Sequence, residues 1–229
     1  MFHVKHSAGA PSVPRRWRRL PHLLAELNIP LPEGALQQLI ILGERLIELN
    51  PALNLTAIVE PDEICLRHFA DSLLLLRVAE LEGKVFLDAG TGAGFPGLPL
   101  AIARPSAKAI LVDSRGKPII FLREVIAELG LDNVTVLRAR AEELSPKQTG
   151  PVDLITVRAL GKLEKVLPAL RALLAPGGEI CLFRGPESAA VRAQEEKLLR
   201  AAGLRETRSV AVSCDRGRWQ RRFLFAAPA

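Results

Sequence analysis

A glycine-rich segment follows a short apolar run in the sequence VFLDAGTGAGFPGLPL, residues 85–100. Asp88 closes the apolar run, and Gly90, Gly92 and Gly94 come directly after it. Glycine is needed where a chain turns sharply out of a strand and its backbone approaches a ligand closely. The pattern predicts a strand, a glycine loop and a helix, which is typical of folds that bind a nucleotide cofactor.

Two classes of cofactor use such a loop, the nicotinamide dinucleotides and S-adenosylmethionine. Gly92, Gly94 and Gly97 satisfy the G-x-G-x-x-G spacing of dinucleotide sites, although that spacing alone is a weak signal. Asp113 ends the next predicted strand and suits either class, because each cofactor presents a ribose to a carboxylate. Asp88 favours S-adenosylmethionine, whose amino-acid end is cationic, and a nicotinamide dehydrogenase stays as an alternative.

The elements that position this loop alternate between apolar runs and helical patterns. Predicted strands cover residues 85–89, 109–114, 134–139, 153–159 and 177–183, and predicted helices cover 96–103, 118–129, 162–174 and 187–202. This alternation predicts an α/β fold with a mostly parallel sheet and helices on both faces. The last two apolar runs, 205–214 and 218–227, are joined by three residues, so we expect a C-terminal antiparallel hairpin.

Upstream of the sheet the chain divides into two parts. Residues 1–19 lack hydrophobic periodicity and are expected to form a flexible basic arm. Residues 20–82 carry apolar positions three and four apart, which predicts an N-terminal helical cap. Its last helix would open at Pro61 and continue to about Leu81. Residues 83–229 would form the sheet domain, in one compact unit with the cap.

Positive charge is concentrated at the two ends of a chain whose net charge is +6. Residues 1–20 hold five Lys and Arg and no acids, and residues 205–222 hold six arginines against two acids. Such localised charge suits a phosphate backbone, or it simply keeps the protein solvated. Trp17 and Trp219 lie among these arginines, where an indole can stack on an unpaired base, or Trp219 can pack in the core.

Composition argues against several classes of protein. No stretch approaches the roughly 20 unbroken apolar residues of a membrane span, and the N-terminus lacks the apolar region of a signal peptide. Cys65, Cys181 and Cys214 are odd in number and form no C-x-x-C pair, which disfavours a disulfide scaffold or a zinc site. Cys181 lies in an apolar strand pattern and is expected to be an inert buried thiol. We expect a cytoplasmic protein without metal or membrane association.

Six motifs then occur in order: NLTAI (54–58), RHFADSL (67–73), LDAGTGAGFPGLPLAI (87–102), LVDS (111–114), RAEE (140–143) and VRAL (157–160). In this combination the chain resembles the bacterial 16S ribosomal RNA guanine-N7 methyltransferase G family, also called glucose-inhibited division protein B, over about residues 34–185. The resemblance implies a Rossmann-like class I fold that depends on S-adenosylmethionine (SAM) and releases S-adenosylhomocysteine (SAH). It also implies methylation of one guanine in 16S ribosomal RNA, bare or within an assembling small subunit.

The resemblance assigns roles to individual residues by position. The expected cofactor-binding residues are Asp88, Gly90, Gly92, Phe95, Asp113, Ala141, Glu142 and Arg158. The expected RNA-facing residues are Asn54, His68, Arg158 and Arg184. Arg184 stands where the family usually has a lysine, and its planar guanidinium would bind a phosphate in a bidentate manner.

No catalytic base is assigned, because a purine ring nitrogen already carries the lone pair that attacks a methyl group. His68 and Asp71 lie three residues apart on a predicted helix and are expected to form a structural pair. Arg158 follows a buried strand, so we expect it to face a site at the carboxyl end of the sheet. The alternatives are a methyltransferase for another RNA, a protein or a small molecule, and an RNA-binding protein without activity.

Overall fold

The computed structural model describes residues 13–185 and 188–229. Seven strands form one sheet: β1 Val85–Ala89, β2 Lys108–Asp113, β3 Val134–Arg138, β4 Val152–Val157, β5 Leu174–Arg184, β6 Leu204–Cys214 and β7 Trp219–Pro228. Their order is β3-β2-β1-β4-β5-β7-β6. Strands β1 to β5 are parallel, while β7 pairs in antiparallel fashion with both β5 and β6. The predicted mostly parallel sheet and its C-terminal hairpin are confirmed.

The helices lie in the cap and on both faces of the sheet. They are α1 Arg19–Leu27, α2 Ala35–Leu53, α3 Pro61–Ile64, α4 Asp71–Leu73, α5 Gly97–Ala103, α6 Gly116–Leu129, α7 Pro146–Thr149, α8 Leu163–Arg171 and α9 Ala189–Ala201. Short 3-10 turns cover Arg15–Trp17, Leu74–Arg77 and Ala141–Glu143. Among these helices of the described chain, none is both long enough and apolar enough to cross a membrane.

The helix expected from Pro61 to about Leu81 is shorter and less regular than predicted. A π-helical turn, Cys65–Ala70, joins α3 to α4, and the helical segment ends at Arg77. Side chains compete for its carbonyls, because Ser72 Oγ donates to the oxygen of His68 and Arg158 donates to the oxygen of Arg67. These bonds favour a widened turn over a regular helix.

Alternate residues of the strands enter two separate hydrophobic cores, as the pleat of a buried sheet requires. In β1, Phe86 packs into the core shared with the cap, α5 and α6, whereas Leu87 and Ala89 pack into the core formed with α8 and α9. Asp88 points to the same side as Phe86, so β1 carries one carboxylate into the cap-facing layer. The cap therefore covers the side of the sheet on which this carboxylate lies.

Trp17 is a core residue of the cap. Residues 1–12 of the expected flexible arm lie outside the described residues, but Trp17 is fully buried, with its ring 6.1 Å from that of Phe69. Its Nε1 donates to Glu44 at 2.6 Å. A Cβ on Gly43 would lie 2.2 Å from the indole. The predicted stacking of Trp17 on a base is wrong, because the indole fills a space that α2 leaves open with a glycine.

Candidate active site

The glycine loop leaves β1 at its carboxyl end and enters α5 at Gly97. Gly90, Gly92 and Gly94 have φ angles of +73°, +58° and +90°, a region that glycine enters without steric cost. A Cβ on Gly97 would lie 2.2 Å from Cδ2 of the buried Leu111. The loop geometry thus depends on glycine for backbone conformation at three positions and for close packing at the fourth.

Asp88, near the end of β1, accepts hydrogen bonds that hold this loop in position. Its Oδ2 accepts hydrogen bonds from Thr91 Oγ1 at 2.6 Å and from the Gly97 amide at 3.0 Å. Its Oδ1 accepts from Thr156 Oγ1, in the neighbouring strand β4, at 2.9 Å. Burial raises the pKa of Asp88, and these hydrogen bonds oppose the rise. The structure gives Asp88 a loop-orienting position, and its direct cofactor contact stays a prediction.

A cleft of about 390 Å³ opens beside the loop, where β1, β2 and β4 end. Four of the predicted cofactor residues line it: Gly90, Asp113, Ala141 and Glu142. Ala141 and Glu142 reach the cleft because the chain forms a 3-10 turn directly after β3. Carboxyl ends of parallel strands are where open α/β sheets bind their ligands. The structure therefore brings together residues that are more than 50 positions apart in the sequence.

Asp113 links the cleft to the glycine loop. Its Oδ2 accepts from the amide of Gly92 at 3.0 Å, and its Oδ1 accepts from the amide of Arg115 at 2.9 Å. The Arg115 guanidinium also lies 3.2 Å from the carboxylate. Asp113 thus holds the second glycine of the loop in place while it lines the cleft, as expected for a residue at the end of the second strand.

Leu160, Gly161 and Lys162 also line the cleft, although none of them was predicted to be a site residue. They follow β4, and Lys162 adopts a left-handed conformation with φ of +57°. These residues could have been predicted from the sequence because they follow a buried strand by a few residues, and such loops form the rim of sites in this architecture.

Arg158 directly follows β4 and is ion-paired to Asp71 of the cap. Its Nη1 donates to Asp71 Oδ2 at 2.9 Å and to the oxygen of Arg67 at 3.1 Å. Burial lowers the pKa of Arg158, and the charge of Asp71 opposes that shift. Arg158 and Phe95 are absent from the cleft lining and lie in an adjoining buried cluster, with the guanidinium 5.9 Å from the Phe95 ring.

Asp71 is fully buried and receives hydrogen bonds from three side chains, one that follows β4 and two in β7. In addition to Arg158, Trp219 Nε1 and Arg221 Nε each donate to its Oδ1 at 2.7 Å. The indole of Trp219 is further covered by the guanidinium of Arg67, 5.4 Å from the ring centroid. These contacts make Trp219 an anchor between the hairpin and the cap. Sequence reasoning missed Arg221, since nothing local distinguishes it from the other arginines of the hairpin.

His68 is held neutral between two partners. Its Nδ1 lies 3.0 Å from Nη2 of Arg158, which can only donate, so Nδ1 accepts and Nε2 carries the proton. That proton points at Thr56 Oγ1, 3.1 Å away. Burial, assisted by the charge of Arg158, lowers the pKa of His68 to about 3. The predicted direct pairing of His68 with Asp71 is wrong, because both side chains bond to Arg158 instead.

The NLTAI segment is held against this cluster by Asn50, a residue that the sequence analysis missed. Asn50 Oδ1 accepts from the amides of Leu55 and Thr56 at 2.8 and 3.0 Å, and its Nδ2 donates to the oxygen of Thr56 at 2.9 Å. Asn54 itself is exposed and ends α2 with φ of +51°. An asparagine in the last turn of a helix is a recognisable signal for such local bonding.

Phe95 packs flat against His68, with ring centroids 4.3 Å apart and an angle of 8° between the planes. Because Phe95 belongs to the glycine loop and His68 to the cap, this stack joins the cofactor loop to the RHFADSL motif.

Arg184 ends β5 and pairs with Glu195 of α9 at 2.9 Å. Burial lowers the pKa of Arg184, and Glu195 opposes the shift. The side chain lines a second cavity of about 610 Å³, which shares Leu160 and Lys162 with the cleft. The contact of Arg184 with RNA stays a prediction.

The three cysteines are free thiols, and the described residues contain no grouped metal ligands. Cys65, Cys181 and Cys214 are free and buried. Burial raises the pKa of Cys65 and Cys214 to about 12 and that of Cys181 well above its ordinary value. The buried position predicted for Cys181 is confirmed. Among residues 13–185 and 188–229, no three His, Cys, Asp or Glu side chains are grouped as metal ligands would be.

Residues 35–220 match the family model GidB, described as rRNA small subunit methyltransferase G. The chain belongs to this methyltransferase G family. Its relatives include the "Ribosomal RNA small subunit methyltransferase G" of Desulfitobacterium hafniense, 40% identical over 77% of this chain and 74% of that protein. The protein of the same name from Aeromonas hydrophila is 41% identical over 73% of this chain and 76% of that protein.

Solved structures of methyltransferases share the fold of this methyltransferase G family member. A SAM dependent methyltransferase from Aquifex aeolicus superposes with a TM-score of 0.56 and 26% identity, over 72% of this chain and 93% of that one. The mitomycin 7-O-methyltransferase MmcR superposes with a TM-score of 0.61 and 15% identity, over 94% of this chain and 68% of that one. The predicted methyltransferase fold is confirmed, and with it the resemblance carried by the six motifs.

Proposed function

We propose that this protein transfers the methyl group of SAM to nitrogen-7 of a guanine in 16S ribosomal RNA. The names of the family model and of its relatives support the class of reaction and the small-subunit RNA. The observation that carries the cofactor assignment is the cleft, where Asp113, the glycine loop and the turn after β3 meet. The Aquifex aeolicus structure, named as SAM dependent, supports the same cofactor.

The residues present fit this cofactor. Asp113 has a carboxylate at the cleft that would accept hydrogen bonds from ribose hydroxyls, and Ala141 and Glu142 would flank the adenosine end. Gly90 and Gly92 leave backbone without side chains where the methionine end would lie. When bound, the cofactor supplies an electrophilic methyl group on sulfur, which leaves SAH. In this site the chain's own residues bind and orient the two reactants.

The cluster beside the cleft has no side chain prepared to remove a proton. Both ring nitrogens of His68 are engaged, and its pKa of about 3 keeps it neutral and a poor base. Arg158 can only donate hydrogen bonds, and its ion pair with Asp71 fixes the position of its guanidinium. This arrangement suits an acceptor atom that carries a lone pair and has no proton to lose, which supports a purine ring nitrogen over an exocyclic amine.

We place this reaction in the cytoplasm, where small subunits are assembled, with bare 16S ribosomal RNA or a partly assembled subunit as the substrate. Other acceptors, whether another RNA, a protein or a small molecule, are the alternatives for the same cofactor site. A nicotinamide cofactor would be revealed by a thermal shift with NAD but not with SAH. A binding protein without activity would retain RNA with the cofactor cleft empty.

The test combines radiolabelled SAM with unmodified 16S ribosomal RNA, both bare and in small subunits, followed by borohydride and aniline cleavage at 7-methylguanine. We expect label in one of these substrates and a single cleavage in the RNA. Label without cleavage would retain the methyltransferase and refute the nitrogen-7 assignment. Binding of SAH without any incorporation would refute both forms of the RNA as substrate and direct attention to the other acceptors.

A further inference from the structure

The two basic ends of the chain lie against each other in the fold. Arg19 Nη2, in α1, lies 2.9 Å from Asp215 Oδ2, in the turn between β6 and β7. The amide of Arg216 in the same turn donates to Glu26 Oε1, also in α1, at 2.9 Å. Two segments that are 196 residues apart in sequence therefore form one surface.

This surface lies at the edge of the sheet that holds the candidate active site. In the antiparallel register of β5 and β7, Arg222 lies opposite Arg184, the last residue of β5. Trp219 precedes Arg222 by three residues in β7, so the hairpin extends about 10 Å beyond the carboxyl end of β5 at the usual rise of a strand. The Arg67 guanidinium covers Trp219, and the Arg67 oxygen accepts from Arg158. These contacts link Arg158 to Trp219, the first residue of β7 after the turn.

Four arginines of these two segments form no ion pair with the described residues. Arg15, Arg18, Arg216 and Arg218 are exposed, and within residues 13–185 and 188–229 none of these four side chains has an acidic partner. Three nearby acids have other partners: Glu44 pairs with Arg16, Asp215 pairs with Arg19, and Glu26 accepts from the amide of Arg216. We call these four arginines the arginine rim.

We infer that the arginine rim binds the phosphate backbone of the ribosomal RNA next to the guanine that is methylated; this inference rests on the proposed function. A guanidinium presents paired donors that match phosphate oxygens. Aromatic residues make up only 4% of the chain, and both tryptophans are engaged within the fold. Contact through stacking is therefore limited, and the charge of the rim supplies the larger part of RNA affinity. An anionic lipid surface is the competing occupant for such a basic surface.

The test measures the affinity of unmodified 16S ribosomal RNA for two double variants, Arg216→Ala/Arg218→Ala and Arg15→Ala/Arg18→Ala, over a series of salt concentrations. We expect each variant to bind the RNA about tenfold or more weakly than the unaltered protein near physiological salt. The slope of log affinity against log salt should also become shallower by about 0.7 to 0.9 for each phosphate that the variant no longer neutralises. Calorimetry with SAH should give the same affinity in all variants, which shows that the fold and the cofactor site are intact.

The matched control is Arg123→Ala/Arg171→Ala, which removes the same charge from exposed positions on α6 and α8. Rim variants that bind RNA like this control would overturn the inference, and so would binding of the unaltered protein to phosphatidylserine vesicles but not to RNA. Failure of the proposed function is recognised separately, in the unaltered protein, by a missing borohydride–aniline cleavage. Normal cleavage together with unweakened rim variants would refute the rim alone.

Discussion

Arg158 Nη1 lies 2.9 Å from Asp71 Oδ2, and this ion pair joins the end of β4 to the helical cap. Asp71 is fully buried and also binds Trp219 and Arg221 of the hairpin. One carboxylate therefore connects the cap, the strand that ends at the site and the C-terminal hairpin. The position of the Arg158 guanidinium, directly after β4, therefore depends on this acid.

Replacement of Asp71 should be costly for stability. We expect Asp71→Ala to lower the free energy of unfolding by about 3 to 5 kcal/mol, because two arginines of the interior lose their acidic partner. Urea denaturation measures the change. The exposed Asp132→Ala serves as the control and should stay within about 0.5 kcal/mol of the unaltered protein. Equal stability of the two variants would show that Asp71 does not hold these arginines.

Asp113 should govern cofactor affinity. We expect Asp113→Asn to weaken binding of SAH about tenfold or more, since hydrogen bonds to a charged group contribute about 1.5 to 3 kcal/mol. Titration calorimetry with SAH measures the effect. Glu143→Gln, which neutralises an exposed carboxylate in the turn after β3, should bind SAH as the unaltered protein does. An unchanged affinity of Asp113→Asn would remove Asp113 from the cofactor site.

The first residue of α5 should not tolerate a side chain. A Cβ on Gly97 would lie 2.2 Å from Leu111 Cδ2 and 3.0 Å from Asp88 Oδ2, so Gly97→Ala should cost about 1 to 3 kcal/mol through overpacking. Gly116 also begins a helix, and the nearest atom to a Cβ there is 3.7 Å away. Gly116→Ala is therefore the matched control and should be neutral or slightly stabilising in thermal unfolding. Equal effects of the two substitutions would contradict the close packing.

His68 should make the fold sensitive to acid. Its pKa is lowered from 6.5 to about 3 in the folded protein, so between these two values the unfolded chain binds a proton that the folded chain does not. Stability from this group is complete above pH 6.5 and is lost as the pH falls toward 3. Between about pH 7.5 and about pH 5 we expect a loss of about 2 kcal/mol in the free energy of unfolding.

The comparison for this pH effect is His68→Gln, which has no titrating ring. Its free energy of unfolding in urea should decline less over the same pH interval than that of the unaltered protein, and the difference is the contribution of His68. Parallel pH profiles of the two proteins would show that His68 ionises normally in the fold.

The thiols should be unreactive in the folded protein. Cys65, Cys181 and Cys214 are buried and their pKa values are raised by burial, so the nucleophilic thiolate is scarce at neutral pH. We expect Ellman's reagent to react slowly with the native protein and to titrate all three thiols after unfolding in urea. Cys181→Ser should retain methyl transfer to RNA, whereas its loss with SAH binding intact would point to covalent catalysis by this cysteine.

Local patterns in the sequence determined the elements of the sheet. Strands and helices alternate from β1 to α9 as predicted, except that the short helix α7 between β3 and β4 was not predicted. The prediction succeeded because apolar runs and glycine-rich turns act over only a few residues. Asp113 was predicted at the cleft for a similar reason, since a residue at the carboxyl end of a parallel strand lies at the edge of the sheet where ligands bind. The helix from Pro61 was misjudged because Arg158, a distant side chain, bonds to one of its carbonyls.

The sequence by itself therefore determined the fold class, the glycine loop and the two basic ends, all of which follow from local composition and spacing. Only the tertiary structure decided which charges meet. Asp71 and Arg221 are 150 residues apart, and Trp17 is buried against a glycine of α2. The physical reason is that burial of a charge or an indole depends on partners from other elements. The order of the strands and the packing of the cap helices, rather than neighbouring sequence, bring those partners together.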